Sequence, residues 1–150
     1  MSRSFPYIVR RVGWNEASDL LSRVRRLVFI EEQHVPETLE WDGSDEHCAH
    51  VLAQTPTGDP IGTGRLLPDG HIGRMAVVRE WRCRGVGGAL LRELVEMARV
   101  AGFREVRLNA QTRAMAFYTR HGFVPEGPEF FEVGIPHRHM RRALGTPPGS

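Results

Sequence analysis

Apolar residues along the chain either alternate with polar ones or recur every three to four positions, and each pattern predicts an element. Alternation predicts strands at 7–12, 47–54, 61–67, 71–78, 106–110, near 130–133 and at 137–143. Helical spacing predicts helices at 15–30, 85–100 and 112–121, the first capped by Asn15 and the second closed by Gly102. Hairpins and strand–helix–strand crossovers in this order predict an α+β fold with a mixed sheet.

The length and composition indicate a single globular unit. We expect one domain over 1–144 of the 150 residues, followed by a flexible C-terminal tail at 145–150 that is rich in proline and glycine. Apolar residues make up 41% of the chain and charged residues 25%, a balance typical of a folded chain rather than a disordered one.

The net charge of +2 favours neither a nucleic-acid nor a membrane partner. No apolar run approaches the roughly 20 residues that span a bilayer, and the N-terminus lacks the apolar core of a signal peptide. Cys48 and Cys83 are too few for a disulfide framework, and free thiols suit a reducing compartment. We therefore expect a cytoplasmic protein.

A glycine-rich turn joins the predicted strand at 71–78 to the predicted helix at 85–100. Gly85, Gly87 and Gly88 lack a Cβ, so a ligand can approach their backbone closely. The first N–H groups of a helix have no partner within the helix and lie at the positive end of its dipole. Since Arg82 and Arg84 add charge nearby, the turn predicts a phosphate or pyrophosphate site.

Three phosphate-binding patterns compete for this turn. A P-loop requires lysine, which the chain lacks, because all 20 basic residues are arginine. A dinucleotide fingerprint requires Gly or Ala where Leu90 stands, and the strands that precede the turn make a poor start for a Rossmann unit. Arg82, Gly85 and Gly87 match the third pattern, Arg/Gln-x-x-Gly-x-Gly/Ala, in full.

On this pattern, at this junction, the chain resembles the GCN5-related N-acetyltransferase (GNAT) superfamily over nearly its whole length. The resemblance implies a mixed, mostly antiparallel central sheet of roughly six to seven strands flanked by about four helices. It implies an acyltransferase that uses acetyl-CoA and acetylates an amine. It implies that the backbone of Met75, Ala76 and Val77 binds the pantetheine arm, and that the Val77 region polarises the acetyl carbonyl. The implied pyrophosphate-binding residues are Arg82, Cys83, Arg84, Gly85, Val86, Gly87 and Gly88.

A second segment, 111–123, resembles the superfamily's Asn-x-x-Ala-x-x-x-Tyr-x-x-x-Gly-Phe pattern. Tyr118 takes the place of the tyrosine that protonates the leaving CoA thiolate, a step that a neutral phenol can perform at pH 7. The alternative is that Tyr118 is only a packed helix residue. Gln111 stands where the family often has asparagine, and we expect it to contact the cofactor although its reach differs.

The acceptor side resembles a subgroup of small bacterial acetyltransferases, of the ElaA and YjcF kind, whose substrates are poorly defined. An amine acceptor is protonated at pH 7 and must lose a proton before it attacks. Glu32 is the first candidate for the base, because the loop after the first helix usually lines the acceptor pocket in this fold, and His137 is the second. The matching residues are Arg26, Phe29, Glu31, Glu32, Gln33, Val35, Pro36, Glu40, Asp42, Asp45, His50, 134–137 and Met140.

Three questions about ligands keep alternatives open. Asp42 and Asp45, with Glu32, are candidates to bind a cationic substrate, although an acidic segment of this kind is equally typical of a solvated loop. Histidine spacing does not favour a metal, since His137 and His139 supply only two ligands.

The acceptor is a small-molecule or peptide amine, and a homodimer is compatible with the sequence. The rival to an enzyme is a non-catalytic acetyl-CoA sensor or partner-binding domain on the same fold.

Overall fold

The computed structural model describes residues 6–145, so residues 146–150 of the expected tail lie outside the described part. A π-helical segment, Arg26–Glu32, continues the first α-helix, which ends at Arg25, and 3-10 turns lie at Asp45–His47, Arg79–Trp81 and Thr112–Ala114. Among residues 6–145, no helix combines the length and apolar character that a membrane crossing requires. The strands and α-helices are β1 Ile8–Val12, α1 Trp14–Arg25, α2 Glu37–Glu40, β2 Ala49–Gln54, β3 Pro60–Leu66, β4 Ile72–Val77, α3 Val86–Val100, β5 Glu105–Gln111, α4 Met115–Arg120, β6 Val124–Glu132 and β7 Ile135–Ala143.

The strands form two antiparallel sheets that lie side by side. The first sheet has the order β1-β2-β3-β4, and the second has the order β5-β7-β6. Within the described residues, one parallel bridge, His71 to Arg107, joins the two sheets between β4 and β5. The α+β prediction and the expected numbers of strands and helices are confirmed. The seam between β4 and β5, which divides the expected central sheet, was not predicted.

The beginning of α1 differs from the sequence prediction. Gly13, not Asn15, is the N-cap, and the Glu16 carboxylate accepts a hydrogen bond of 2.9 Å from the Gly13 N–H. A side-chain oxygen on Asn15 is therefore not needed to satisfy this end of the helix. The predicted helix at 15–30 is also not α-helical throughout, because it changes to π-helical geometry at Arg26.

Helix α3 covers the first sheet with a face of buried aliphatic side chains that includes Leu90 and Leu94. It lies close to β3 because that strand carries glycine beneath the helix. A Cβ on Gly62 would lie 2.8 Å from Leu90 Cδ1, and one on Gly64 would lie 2.7 Å from Leu94 Cδ1. This close approach holds the N-terminus of α3 against the end of β4, where Val77 Cγ2 is 3.7 Å from a Cβ built on Gly87.

Candidate active site

The site begins where β4 and β5 separate. The N–H of Arg107 donates to the carbonyl of Gly70 over 3.1 Å, and beyond this bridge the two strands do not pair within residues 6–145. A bulge in β4 lies just past the bridge: Arg65 pairs with Gly73 and Thr63 with Ala76, which leaves one residue too many in β4. Bulges bend the strand that carries them, so β4 turns away from β5 and a cleft opens.

The bulge places a non-glycine residue in an unusual conformation. Arg74 has a φ of 50°, in the left-handed region that larger side chains rarely adopt. The Thr63 hydroxyl donates to the Arg74 carbonyl over 3.1 Å and satisfies a group that the interrupted ladder would leave without a partner.

A cavity of about 590 Å³ fills the cleft between the two strands. It collects many of the predicted site residues from distant parts of the chain. It also brings in residues that the sequence did not single out, such as Arg74, Asn109, Arg113 and Glu132, for which no local pattern gives a signal. The predicted residues that line it are Met75, Ala76, Val77, Arg82, Gln111, Tyr118 and His137.

The backbone of Val77 points into this cleft. In an antiparallel strand the N–H and C=O of one residue point to the same side, and successive residues alternate. The Val78 N–H donates to Ile61 O in the direction of β3 (2.9 Å), so both polar groups of Val77 point away from β3. Arg82 Nε donates to the Val77 carbonyl over 2.9 Å. The Val77 N–H is therefore directed to the side on which the cleft lies.

The glycine turn has the geometry expected of an anion site. Gly85 is the N-cap of α3 with a φ of 85°, and Cys83 also has a positive φ of 62°. The first hydrogen bond of the helix runs from the Ala89 N–H to Gly85 O, 3.0 Å. The N–H groups of Val86, Gly87 and Gly88 precede it and have no acceptor within the helix. These open amides at a positive dipole end suit the pyrophosphate of CoA.

Arg82 has a different position from the one expected of a phosphate ligand. Its guanidinium makes a two-pronged contact with Glu32, at 2.7 and 2.6 Å, as well as the contact with Val77 O. The side chain therefore ties the π-helical segment to the end of β4. The Arg82 N–H also donates to Arg79 O over 3.3 Å, and the predicted contact of Arg82 with the cofactor stays a prediction.

Glu32 is a poor candidate for the base on the same evidence. The hydrogen bond from Arg82 lowers the pKa of Glu32, although partial burial opposes the shift. A carboxylate that is already paired and has a lowered pKa accepts a further proton less readily. Its candidacy as base or as ligand for a cationic substrate gains no support from this arrangement.

Tyr118 lies on α4 with its ring packed edge-on against Phe117 and Phe123, at centroid distances of 5.1 and 5.9 Å. Burial raises the pKa of Tyr118 to about 12. The phenol therefore keeps its proton throughout the neutral range, as a proton donor must.

His137 enters the cavity from β7, opposite Gln111 of β5 in the strand register, and only 7% of it is exposed. Its Nδ1 lies 2.7 Å from Ile135 O. Because a carbonyl only accepts hydrogen bonds, Nδ1 carries the proton, and in the neutral ring Nε2 holds the free lone pair. Glu132 Oε2 lies 3.7 Å from that Nε2. His137 thus has the tautomer that a base requires.

Both polar atoms of the Gln111 side-chain amide form hydrogen bonds. Its Nε2 donates to Gln33 Oε1 over 3.0 Å, and its Oε1 accepts from Arg113 Nε over 3.0 Å. It lines the cavity, so its predicted contact with the cofactor stays a prediction.

The acidic segment belongs to a buried ion-pair network. Arg25 contacts Glu40 at 2.8 Å and Asp45 at 2.7 Å, and Arg65 contacts Asp45 at 2.9 Å and Asp42 at 2.6 Å. Burial alone would raise the pKa of Asp45, but Arg25 and Arg65 outweigh it and the net pKa is lowered. The hydrogen bond from Arg65 lowers the pKa of Asp42. Neither aspartate lines the cavity, so the structure gives their predicted substrate-binding role no support.

Comparison with known proteins agrees with this geometry. The sequence model of the acetyltransferase (GNAT) domain matches residues 19–144. The chain belongs to the GNAT acetyltransferase family. The predicted resemblance is thereby confirmed.

Individual relatives extend the same result. The uncharacterized N-acetyltransferase YjcF of Bacillus subtilis is 37% identical over 123 residues, which cover 79% of this GNAT chain and 87% of YjcF. The crystal structure of Escherichia coli ElaA superposes with a TM-score of 0.81 at 26% identity, covering 91% of this chain and 99% of ElaA. An acyl-CoA N-acyltransferase from Pseudomonas aeruginosa does so with a TM-score of 0.77 at 31% identity, covering 93% and 100%.

The buried network predicts a large effect of Asp45→Asn on stability. The substitution leaves Arg25 and Arg65 sharing fewer negative charges in a buried site, which should cost about 3 kcal/mol in the free energy of unfolding. Urea denaturation at pH 7 measures this loss. The control Asp19→Asn removes an exposed carboxylate from α1 and should stay within about 0.5 kcal/mol of the wild type.

The wild type and Asp45→Asn should also differ in how their free energies of unfolding depend on pH. Because the folded pKa of Asp45 lies below its unfolded value, its contribution to stability is complete above about pH 4 and is lost as the pH falls further. The stability gap between wild type and Asp45→Asn should therefore narrow below pH 4. A gap that stays constant down to the acid unfolding of the protein would contradict the ion-pair account.

Proposed function

We propose that this GNAT protein is an acetyl-CoA-dependent N-acetyltransferase that transfers the acetyl group directly to a primary amine. Family membership supports acyl transfer from an acyl-CoA. One observation supports direct acetyl transfer to a primary amine: Val77, Tyr118 and His137, which offer a backbone N–H, a phenol and a nitrogen lone pair, line the same cleft.

The donor half of the site is built from backbone. Acetyl-CoA supplies an acetyl group activated as a thioester. Its pyrophosphate would be held by the open N–H groups of the turn from Cys83 to Gly88, and its pantetheine arm by the edge of β4 from Met75 to Val77, through the backbone groups that point away from β3. The Val77 N–H, directed into the cleft, is suited to bind the carbonyl oxygen on which negative charge develops.

The acceptor half supplies a base. The ammonium form of the acceptor must give up one proton before nitrogen can attack, and His137 Nε2 is the acceptor for that proton. Its lone pair is fixed by the Nδ1 hydrogen bond to Ile135 O. Glu132, 3.7 Å from Nε2, stabilises the imidazolium that results.

The last proton comes from Tyr118. As the new carbon–nitrogen bond forms and the carbon–sulfur bond breaks, the departing sulfur takes the phenolic proton. The nitrogen loses its second proton as it becomes the amide, and that proton restores the Tyr118 phenol. A phenol is neutral at pH 7 and so carries this proton until it is transferred. Burial raises the pKa of Tyr118 further, to about 12. Proton removal by His137 and proton donation by Tyr118 therefore occur in one cavity.

Tyr118→Phe should separate chemistry from binding. Turnover with an amine panel, measured as CoA release, should fall about 100-fold because the proton donor is gone. The Kd for acetyl-CoA, measured by calorimetry, should change little because the ring remains. Thr119→Ala, which removes an exposed hydroxyl from the same helix outside the cavity, is the matched control. Unchanged turnover in Tyr118→Phe would remove it as the acid, and binding of acetyl-CoA by the wild type without turnover of any amine would favour a sensor.

Gly87→Glu should abolish acetyl-CoA binding. Gly87 stands among the open amides at the N-terminus of α3, and a carboxylate there repels the pyrophosphate as well as filling its space. Thermal stabilisation by acetyl-CoA measures the loss. The control Val100→Glu adds the same charge at an exposed position of the same helix, about 20 Å away, and should bind normally. Intact binding by Gly87→Glu would show that the turn does not hold the phosphates.

A further inference from the structure

A second cavity, of about 500 Å³, adjoins the reaction cleft. The two cavities share Gln33, Gln111 and Arg113, and the hydrogen bond of 3.0 Å between the two glutamine side chains lies on their common border. A ligand that reaches the reaction cleft therefore has room to extend a second group into this space. The remaining residues that line it are Glu32, Arg79, Thr112, Ile135 and Pro136.

Positive charge is in excess around the second cavity. Arg82 pairs closely with Glu32, while Arg79 reaches the same carboxylate only at 3.8 Å. Arg113 forms no ion pair among the described residues, yet its charge contributes to the lowered pKa of Glu32, so it stands near the other two arginines. The second cavity is thus lined by two guanidinium groups, those of Arg79 and Arg113, and by one carboxylate, that of Glu32, which already pairs closely with Arg82. An anion bound there would be attracted by both arginines.

Arg113 is positioned to contact such an anion. Its Nε donates to Gln111 Oε1 over 3.0 Å, and Gln111 is itself held by Gln33. A guanidinium has five N–H donors in a planar fork, so this anchor leaves the terminal nitrogens to bind a carboxylate. Thr112 lines the same cavity, together with the apolar residues Ile135 and Pro136.

We propose that the amine acceptor is an amino carboxylic acid, whose carboxylate binds to Arg113 and Arg79 in this second cavity while its amine lies in the reaction cleft. The inference deepens the proposed N-acetyltransferase function and rests on it. The phosphates of acetyl-CoA are the other anions at hand. They belong to the glycine turn, however, and no residue of the segment 82–88 lines the second cavity.

The test compares acceptors that differ only in the carboxylate. Glycine, leucine, phenylalanine and glutamate are each paired with the corresponding α-carboxamide, and kcat/KM is measured for both members with wild type and Arg113→Gln. The wild type should prefer the acids. Arg113→Gln should lower the acid-to-amide ratio about tenfold or more, since a hydrogen-bonded charge contact is lost. The variant-to-wild-type comparison cancels intrinsic differences in amine basicity.

Two controls separate this inference from the proposed function. Arg23→Gln removes an exposed arginine of α1 that lines neither cavity, and it should leave the ratio unchanged. The Kd for acetyl-CoA should change less than about twofold in Arg113→Gln, because the phosphates bind at the glycine turn, no residue of which lines the second cavity. A ratio that Arg113→Gln leaves unaltered, or a weakened acetyl-CoA complex with an unaltered ratio, would overturn the inference.

A wild type that turns over no amine would contradict the proposed function rather than the carboxylate site. In that case the N-acetyl derivatives of the same acids and amides are titrated into protein saturated with CoA. Tighter binding of the N-acetyl acids, lost in Arg113→Gln and kept in Arg23→Gln, would support the carboxylate site. Equal binding of acids and amides would overturn it.

Discussion

The separation of β4 from β5 is the constraint on which the rest of the site depends. In a continuous sheet, the backbone N–H and C=O groups of β4 and β5 would pair with each other. Because a single bridge joins these two strands, some of these groups can instead form hydrogen bonds to another molecule. The bulge at Arg74 bends β4. The Thr63 hydroxyl stabilises the bulge by donating a hydrogen bond to the Arg74 carbonyl, which the interrupted strand ladder would leave without a partner. Val77, Tyr118 and His137, which we propose bind the acetyl carbonyl, donate a proton and accept a proton, all line this one opening.

The buried ion pairs keep the opening in shape. Arg74, the bulge residue, contacts the Glu40 carboxylate at 3.0 Å, and Glu40 also holds Arg25 of α1. The segment that contains α2 is thus anchored both to the helix and to the bulged strand. Buried charges are costly unless they are paired. The side chains of these ion pairs must therefore keep their relative positions, even where the pairs add little to the free energy of unfolding. The pairing of Arg82 with Glu32 ties the π-helical segment to the end of β4 in the same way.

What the sequence predicts well is local. The glycine turn before α3 and the segment around Tyr118 are contiguous patterns whose chemistry depends on neighbouring residues, and the fold order follows from hydrophobic periodicity. The sequence does not predict contacts between distant residues or unusual backbone conformations. Arg74 adopts a positive φ without being glycine, so no residue type marks the bulge. The sequence predicts Asp45 and Glu32 as ligands for a cationic substrate, and nothing in it shows that distant arginines pair with both.

The most direct test of this account is hydrogen–deuterium exchange of the protein with and without acetyl-CoA. If the open strand and the helix N-terminus hold the donor, peptides covering β4 from Met75 to Val77 and the turn from Cys83 to Gly88 should become protected together, with the outer strand β1 unchanged. Protection of neither peptide, or protection confined to regions away from the cleft, would contradict the claim that the separation of β4 and β5 creates the donor site.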